Sequence, residues 1–380
     1  MVHDNYSYLI VGGGMAADAA VHGIREVDAD GTIGLLSAEP DPPYKRPPLS
    51  KKLWRGKPLD SVWLGTDQLG VDLHLGRTGR LLDLQHNRVV DDRGTEYGFD
   101  KLLLATGVTP RRLPVGGHWI TYYRTLKDYQ RLRQEAARGQ RFAVIGGGFI
   151  GSEIAAALAM NGKEVVMILP EAGIGSRLFP TDLAVFLNDY YREHGVEVLT
   201  HSMVTDVVRR GDRFTVETRD KAASTTSEFQ VDGIVAGIGA RPNIELAQTA
   251  GLAINDGIVV DPYLRTSHPD VYAAGDIALY WQSVLGNAAA SNMKTTPRRW
   301  VASRDERWLA SRRRTSTSPF STPTCSIWAT RRLVTSMPGS RWWPSGRSRT
   351  ARVSSRTAAR AGCGERSSGT SGISSMRPGR

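Results

Sequence analysis

Two stretches of this chain carry small residues at a spacing that can hold phosphate. Gly12, Gly14 and Ala17 in VGGGMAADAA, and Gly146, Gly148 and Gly151 in IGGGFIGSE, both follow the G-x-G-x-x-G/A pattern. In that pattern the first glycine permits a tight turn, the second lets backbone N–H groups approach a pyrophosphate, and the third small residue lets a helix pack on a strand. An acid follows each at about 20 residues, where a carboxylate can accept the two ribose hydroxyls of an adenine nucleotide. These acids are Glu39 and Glu171. The candidate contacts are therefore Gly12, Gly13, Gly14, Met15, Ala16, Ala17 and Glu39 at one site, and Gly146, Gly148, Phe149, Ile150, Gly151 and Glu171 at the other.

The elements that must present these turns are legible around them. Tyr8–Val11 is a short apolar run with β-branched members, followed by the helix-like DAAVHGIREV and a second apolar run, Thr32–Leu36. The order repeats with Arg141–Ile145, an alanine-rich helix through Met160, and a strand from Glu164 to Leu169. Leu102–Gly107 and Val271–Asp276 each read as a buried strand ending in a small-residue turn. Strand, glycine turn, helix, strand and acid, occurring twice, predict an α/β chain with two three-layer dinucleotide-binding folds. One chain holding two dinucleotides argues for moving electrons between them.

Composition narrows the chemistry. Residues 291–380 hold 19 Lys and Arg against three acids, so the remaining 290 residues carry 30 basic and 35 acidic side chains. The basicity belongs to the tail. Both cysteines, Cys325 and Cys363, also lie there, so the first 290 residues offer no thiol for a disulfide, a metal or a redox dithiol. No run approaches the roughly 20 apolar residues of a membrane span, and the N-terminus lacks a signal-peptide pattern, so a cytoplasmic protein is expected.

At IVGGGMAA, EPDPPYKRPPLSKKLW, KLLLATGVTPRRLP, VIGGGFIGSEIAAAL and VYAAGD the chain resembles the FAD-dependent pyridine-nucleotide oxidoreductases with two dinucleotide sites and a glutathione-reductase-like fold. Within them it is most similar to the ferredoxin and rubredoxin reductases of oxygenase systems and to apoptosis-inducing-factor-like flavoproteins. The resemblance covers roughly residues 6–285. It implies a discontinuous FAD-binding domain, residues 1–117 and 240–290, interrupted by an NAD(P)-binding domain at 118–239.

Site residues follow from the same resemblance. Ala105, Thr106 and Gly107 lie near the FAD phosphates and adenosine, Gly275 and Asp276 at the ribityl chain, and Gly79 and Arg111 at further FAD contacts. Arg46 pairs with phosphate, its planar fork suiting oxyanions. Lys51 sits near the flavin N5 close to Glu153, these two being the candidate catalytic residues, while Lys45 and Lys52 face solvent. Pro47 and Pro48 stiffen this elbow before any ligand arrives. Gly239 contacts the nicotinamide half. Glu171 favours NAD(H), since a carboxylate repels a 2′-phosphate, although Arg177 nearby could bind that phosphate and admit NADP(H).

The reaction implied is hydride transfer from C4 of NADH to flavin N5. Without a Cys-x-x-x-x-Cys pair the electrons must leave from the flavin itself. A ferredoxin or rubredoxin is the expected acceptor, with quinone or oxygen as the alternative.

Residues 291–380 depart from the resemblance. From about Asn287 hydrophobic periodicity disappears, and neither the helix that meets the flavin ring nor the interface domain of the family is visible. Back-translating Ser291–Ala302 one base earlier permits VEHEDNAEAMGR, and the same shift over Phe320–Arg332 permits FYSDLFDLGYEA, both similar to the missing segment. A reading-frame change near Leu285–Asn287 is therefore expected, which the nucleotide sequence decides, and it would leave an impaired flavoprotein with a disordered basic tail. The other reading of that tail is an arm that binds nucleic acid through its clustered arginines.

Overall fold

The structure, a computed structural model, describes residues 2–221, 223–282 and 287–290. Among them the first fold comprises β1 (Val2–Val11), α1 (Met15–Arg25), β2 (Ile33–Ser37), β3 (Asp72–Leu75), β4 (Gly79–Asp83), β5 (Arg88–Asp91) and β6 (Glu96–Leu104). A short strand, β7 (Val108–Pro110), leads out of it. The second fold comprises β8 (Ile120–Tyr122), α2 (Leu126–Arg138), β9 (Arg141–Ile145), α3 (Phe149–Met160), β10 (Glu164–Ile168), α4 (Thr181–Glu193), β11 (Val196–Leu199), β12 (Ser202–Arg210), β13 (Arg213–Asp220), β14 (Thr226–Val231) and β15 (Gly233–Ala236). The return segment supplies β16 (Ala240–Pro242), α5 (Glu245–Thr249), β17 (Ile258–Val259), β18 (Val271–Ala273), β19 (Ala278–Gln282) and β20 (Asn287–Ala290).

The first sheet, seven-stranded among the described residues, runs β3-β2-β1-β6-β5-β4, and β18 pairs with the last three residues of β6. Its central strands are parallel and buried toward their carboxyl ends, where Leu9, Ile10, Leu35, Leu102 and Leu103 are inaccessible to solvent. A run of apolar residues without alternation is what burial on both faces selects. Register then decides where the loops go. Val11 stands opposite both Leu36 and Leu104, and Ala273 stands opposite Leu104, so four strands end together. The turns that follow, at residues 12–14, 37–39, 105–107 and 274–276, therefore share one sheet edge, the carboxyl edge where open α/β sheets bind ligands.

The second fold repeats the device with the order β11-β10-β9-β15-β8. Ile145 stands opposite Ile168 and Ala236, which brings Gly146, the residues after β10 and Gly237–Gly239 together. One face of this sheet packs on α2 and α3, the other on the antiparallel ribbon β12-β13-β14. Helix α3 buries residues all along Gly151–Leu158. A helix apolar all round is one enclosed on both sides: the sheet lies on one, and the Pro47–Arg55 elbow contributes to the same core.

That elbow packs apart from its neighbours in sequence. Tyr44, Leu49, Leu53, Trp54 and Val62 belong to the hydrophobic core of the second fold, although the chain around them builds the first. Strand β20 is a second departure from the sequence expectation, since Asn287–Ala290, where apolar periodicity lapses, pairs antiparallel with β19. Ladder hydrogen bonds come from the backbone and need no side-chain pattern. The tail expectations, a frame change, a disordered arm or a nucleic-acid arm, concern residues 291–380 and lie outside the described residues.

Candidate dinucleotide-binding cleft

Both carboxyl edges open on one cleft of about 1350 Å³. That is larger than the roughly 300–1000 Å³ that takes one drug-sized molecule. From the first fold it is lined by Gly12, Gly13, Gly14, Met15, Ala16, Glu39, Arg46, Lys51, Gly79 and the Ala105–Gly107 turn, with Gly275 and Asp276 from the return segment. From the second it is lined by Gly146, Gly148, Phe149, Ile150, Glu153, Glu171, Arg177 and Gly239.

Three expected residues do not line it. Ala17 is fully buried under the first turn, and Gly151 is buried where a Cβ would stand 1.9 Å from the Gly146 carbonyl oxygen. Both are helix-packing positions. Arg111 is exposed, its N–H bonded to the Gly239 carbonyl and its guanidinium reaching the Ala240 carbonyl at 3.4 Å, while its neighbour Arg112 lines the cleft.

The glycine turns fit pyrophosphate on the chain's own geometry. Gly12 has φ +127° and passes the Ala105 carbonyl so closely that a Cβ would lie 2.1 Å from its oxygen. A Cβ on Gly14, by contrast, would meet nothing within 4 Å, so that face is open for close approach. Gly14 and Gly148 are the N-caps of α1 and α3, and neither provides a side-chain cap hydrogen bond. The first N–H groups of two helices thus remain for an anion, and the helix dipoles favour one.

Glu39 follows β2 and accepts from two neighbours, Arg46 Nη2 at one oxygen and the Tyr44 hydroxyl at the other. Arg46 also donates through Nη1 to Tyr44 Oη at 3.0 Å and to the Arg124 carbonyl at 3.3 Å. The Tyr44 hydroxyl further accepts the Leu126 N–H at 2.9 Å, tying Glu39 to the start of α2. Burial, reinforced by the adjoining Glu39 carboxylate, pushes the Tyr44 phenol far up, so it serves as a neutral donor. Burial disfavours the Arg46 charge, yet its pKa is raised, and the Glu39 carboxylate bonded to the guanidinium is a cause.

Arg124 carries no signal in the sequence, yet it lines the cleft and donates to Asp276 Oδ2 at 3.2 Å. The cause is local. Thr125 and Asp128 form a capping box at the start of α2, with Thr125 N–H donating to Asp128 Oδ2 at 2.7 Å, which fixes the chain direction at Arg124. Burial, with Arg46 close by, lowers the Arg124 pKa despite Asp276. Asn243 is the other unforeseen residue. Its side chain donates to the Thr106 carbonyl at 2.9 Å and accepts from Thr109, stitching the return segment to the Ala105–Gly107 turn.

In the second fold Glu171 accepts both Arg177 donors at Oε1, Nε at 2.8 Å and Nη2 at 2.7 Å. Arg177 is therefore held by the carboxylate beside it. Between the folds, Lys51 Nζ and Ser50 Oγ each donate to Glu153 Oε2 at 2.6 Å, with Glu153 1% exposed. Lys45 and Lys52 are exposed.

Comparison with known proteins accounts for this arrangement. The chain matches the pyridine nucleotide-disulphide oxidoreductase family over residues 6–306. It is 34% identical over 290 residues to the ferredoxin–NAD(+) reductase component of the anthranilate 1,2-dioxygenase system of Burkholderia cepacia, covering 73% of this chain and 70% of that one. It is also 34% identical over 315 residues to mitochondrial apoptosis-inducing factor 1 of Dictyostelium discoideum, covering 74% of this chain and 58% of that one. Among solved structures, the putidaredoxin reductase–putidaredoxin complex superposes with TM-score 0.73 at 29% identity, over 80% of this chain and 75% of that one. No helix among the described residues is long and apolar enough to cross a membrane, and no group of His, Cys, Asp and Glu among them could hold a metal ion. Two uncapped, glycine-opened helices face one cleft, each followed by an acid that lines it, and the chain belongs to the pyridine nucleotide-disulphide oxidoreductase family as an NAD(P)H-dependent flavoprotein reductase.

Proposed function

We propose that this protein draws hydride from NADH onto FAD and hands the electrons on to a ferredoxin- or rubredoxin-type iron–sulfur protein, in the cytoplasm. When bound, flavin would accept one hydride and give up its two electrons one at a time. The chain's residues supply the rest. The N-terminus of α1, with Glu39, Arg46, Arg124 and Asp276, holds FAD across the Gly12–Ala17 and Gly275 turns. The N-terminus of α3, with Glu171 and Gly239, holds NADH. Lys51 and Glu153 stand between them, with Lys51 Nζ donating to Glu153 Oε2. The domain limits 1–117, 118–239 and 240–290 go with this assignment.

The observation that carries the reading is the single cleft onto which both uncapped glycine turns open with the Lys51–Glu153 pair between them. An iron–sulfur acceptor is supported by the names of similar proteins, a ferredoxin–NAD(+) reductase component and a reductase solved in complex with putidaredoxin. It is also supported by the absence of cysteine from the first 290 residues, which leaves no dithiol relay there. Steady-state reduction of ferredoxin and of rubredoxin by NADH, run beside quinone and oxygen, tests it. Turnover with an iron–sulfur protein at least tenfold faster than with quinone or oxygen is expected; the reverse order assigns the enzyme to the alternative acceptors.

A further inference from the structure

Tyr123 belongs to neither glycine turn, yet it holds the backbone of the elbow that carries Lys51. Its hydroxyl donates to the Leu49 carbonyl at 2.6 Å, and the Trp54 indole N–H donates to the same oxygen at 2.9 Å. A carbonyl oxygen has two lone pairs, so these donors saturate it. Leu49, Trp54 and Tyr123 are 2%, 4% and 4% exposed, so water does not compete for the contacts. Burial pushes the Tyr123 phenol far up, which keeps it a neutral donor.

The elbow is two short 3-10 turns, Pro47–Ser50 and Lys52–Arg55, joined at Lys51, whose N–H bonds to the Pro48 carbonyl at 3.1 Å. Its far end is fastened as well. Tyr129 meets Trp54 edge-on at 5.9 Å, the Arg133 guanidinium lies 4.9 Å over its ring, and Asn161 donates to its carbonyl at 3.1 Å. Every one of these fastenings, and Tyr123 itself, belongs to the second fold. The two residues after Leu49, Ser50 and Lys51, are the two that donate to Glu153 Oε2. Displacing the Leu49 carbonyl therefore displaces both donors at once.

We infer that Tyr123 is a positioning residue for the Lys51–Glu153 pair: its hydroxyl, bonded to the Leu49 carbonyl, sets where Ser50 and Lys51 stand over the buried carboxylate. The inference rests on the reading that Lys51 and Glu153 lie where hydride crosses. It makes the elbow part of the nicotinamide-binding fold in mechanical terms, so that Lys51 keeps its distance from that fold whatever the first fold does.

Tyr123→Phe, which removes only the hydroxyl, tests it in the full chain. Amides of the peptide spanning residues 47–55 exchange with deuterium about tenfold faster than in the parent, with or without FAD. FAD content and NADH affinity stay at parental values, while anaerobic flavin reduction at saturating NADH slows about tenfold. In a Lys51→Met background, Tyr123→Phe adds no further slowing, because the group through which it acts is gone. Trp54→Phe removes the other donor, moves both readouts the same way, and carries the test should Tyr123→Phe not fold. Unchanged exchange at 47–55, a parental reduction rate in Tyr123→Phe, or a loss that adds in full to that of Lys51→Met overturns the inference. A parental rate in Lys51→Met alone overturns the reading of the site and the inference with it.

Discussion

The Lys51 ammonium and the Glu153 carboxylate stand 2.6 Å apart across 102 positions of sequence, Glu153 buried and the Lys51 side chain 22% exposed. Taking away one member of a buried pair costs more than taking away both, because the survivor is left charged in a dry place. Lys51→Met is expected to lower stability by about 2–3 kcal/mol, and adding Glu153→Gln to restore most of it. Urea unfolding of the two single variants and the double variant measures this, and losses that simply add would show that the two charges do not interact.

Gly12 and Gly14 sit two residues apart and respond oppositely to the same change. At Gly12 the positive φ and the Ala105 oxygen 2.1 Å from an added Cβ leave no room, so Gly12→Ala is expected to prevent folding or to cost more than about 3 kcal/mol. At Gly14 the added methyl meets no protein atom within 4 Å. Gly14→Ala therefore keeps the parental unfolding midpoint without FAD and loses FAD affinity by tenfold or more, about 1.4 kcal/mol, since the methyl occupies the space a phosphate needs. Thermal unfolding of the apoprotein, set against a flavin titration, separates the two effects.

Glu171 engages Arg177 through a single carboxylate oxygen. Removing the carboxylate frees the guanidinium and removes the charge that repels a 2′-phosphate. Glu171→Ala is expected to raise the ratio of kcat/KM for NADPH to that for NADH at least tenfold, and Arg177→Ala in the same background to abolish the gain. A ratio unmoved by Glu171→Ala would place coenzyme choice elsewhere.

The first fold carries an acid-sensitive buttress at Asp91, which is 3% exposed. Burial opposes its charge, but the N–H groups of Thr95 and Arg93, the Tyr97 hydroxyl and Arg77 outweigh burial and hold the carboxyl below the usual range. A lowered folded-state pKa gives stability that is present above the unfolded value, about 3.9, and is lost as pH falls through the folded value. Asp91→Asn is expected to be about 2–3 kcal/mol less stable at neutral pH and to show a flatter stability profile below about pH 4. Denaturant unfolding at a series of pH values gives the comparison.

What could be read along the chain and what could not divide by the range of the interactions. The glycine turns and their acids are local: a strand, a turn and a helix lie within about 30 consecutive residues, and each residue type answers to a backbone need at its own position. Arg124 reaches Asp276 across 152 positions, Tyr44 reaches the Leu126 N–H across 82, and Asn243 reaches Thr106 across 137. Nothing about an arginine before a helix cap, or a tyrosine after two prolines, states which distant group it will meet. The elbow shows the same limit. Its prolines and basic residues were conspicuous, but its attachment to the second core depends on Tyr123, Tyr129 and Asn161, which only the folded chain brings near. Arg111 and Arg112 show it at the scale of one residue, because they follow strand β7 side by side and only Arg112 lines the cleft.

The central claim is that one cleft holds FAD and NADH in contact. It is tested most directly by loading the purified protein with FAD and titrating it anaerobically with NADH while following the visible flavin band. One equivalent of NADH bleaching one equivalent of bound flavin is the predicted result. A protein that binds FAD yet keeps its band unchanged in excess NADH, or that takes up no FAD at all, would contradict the account.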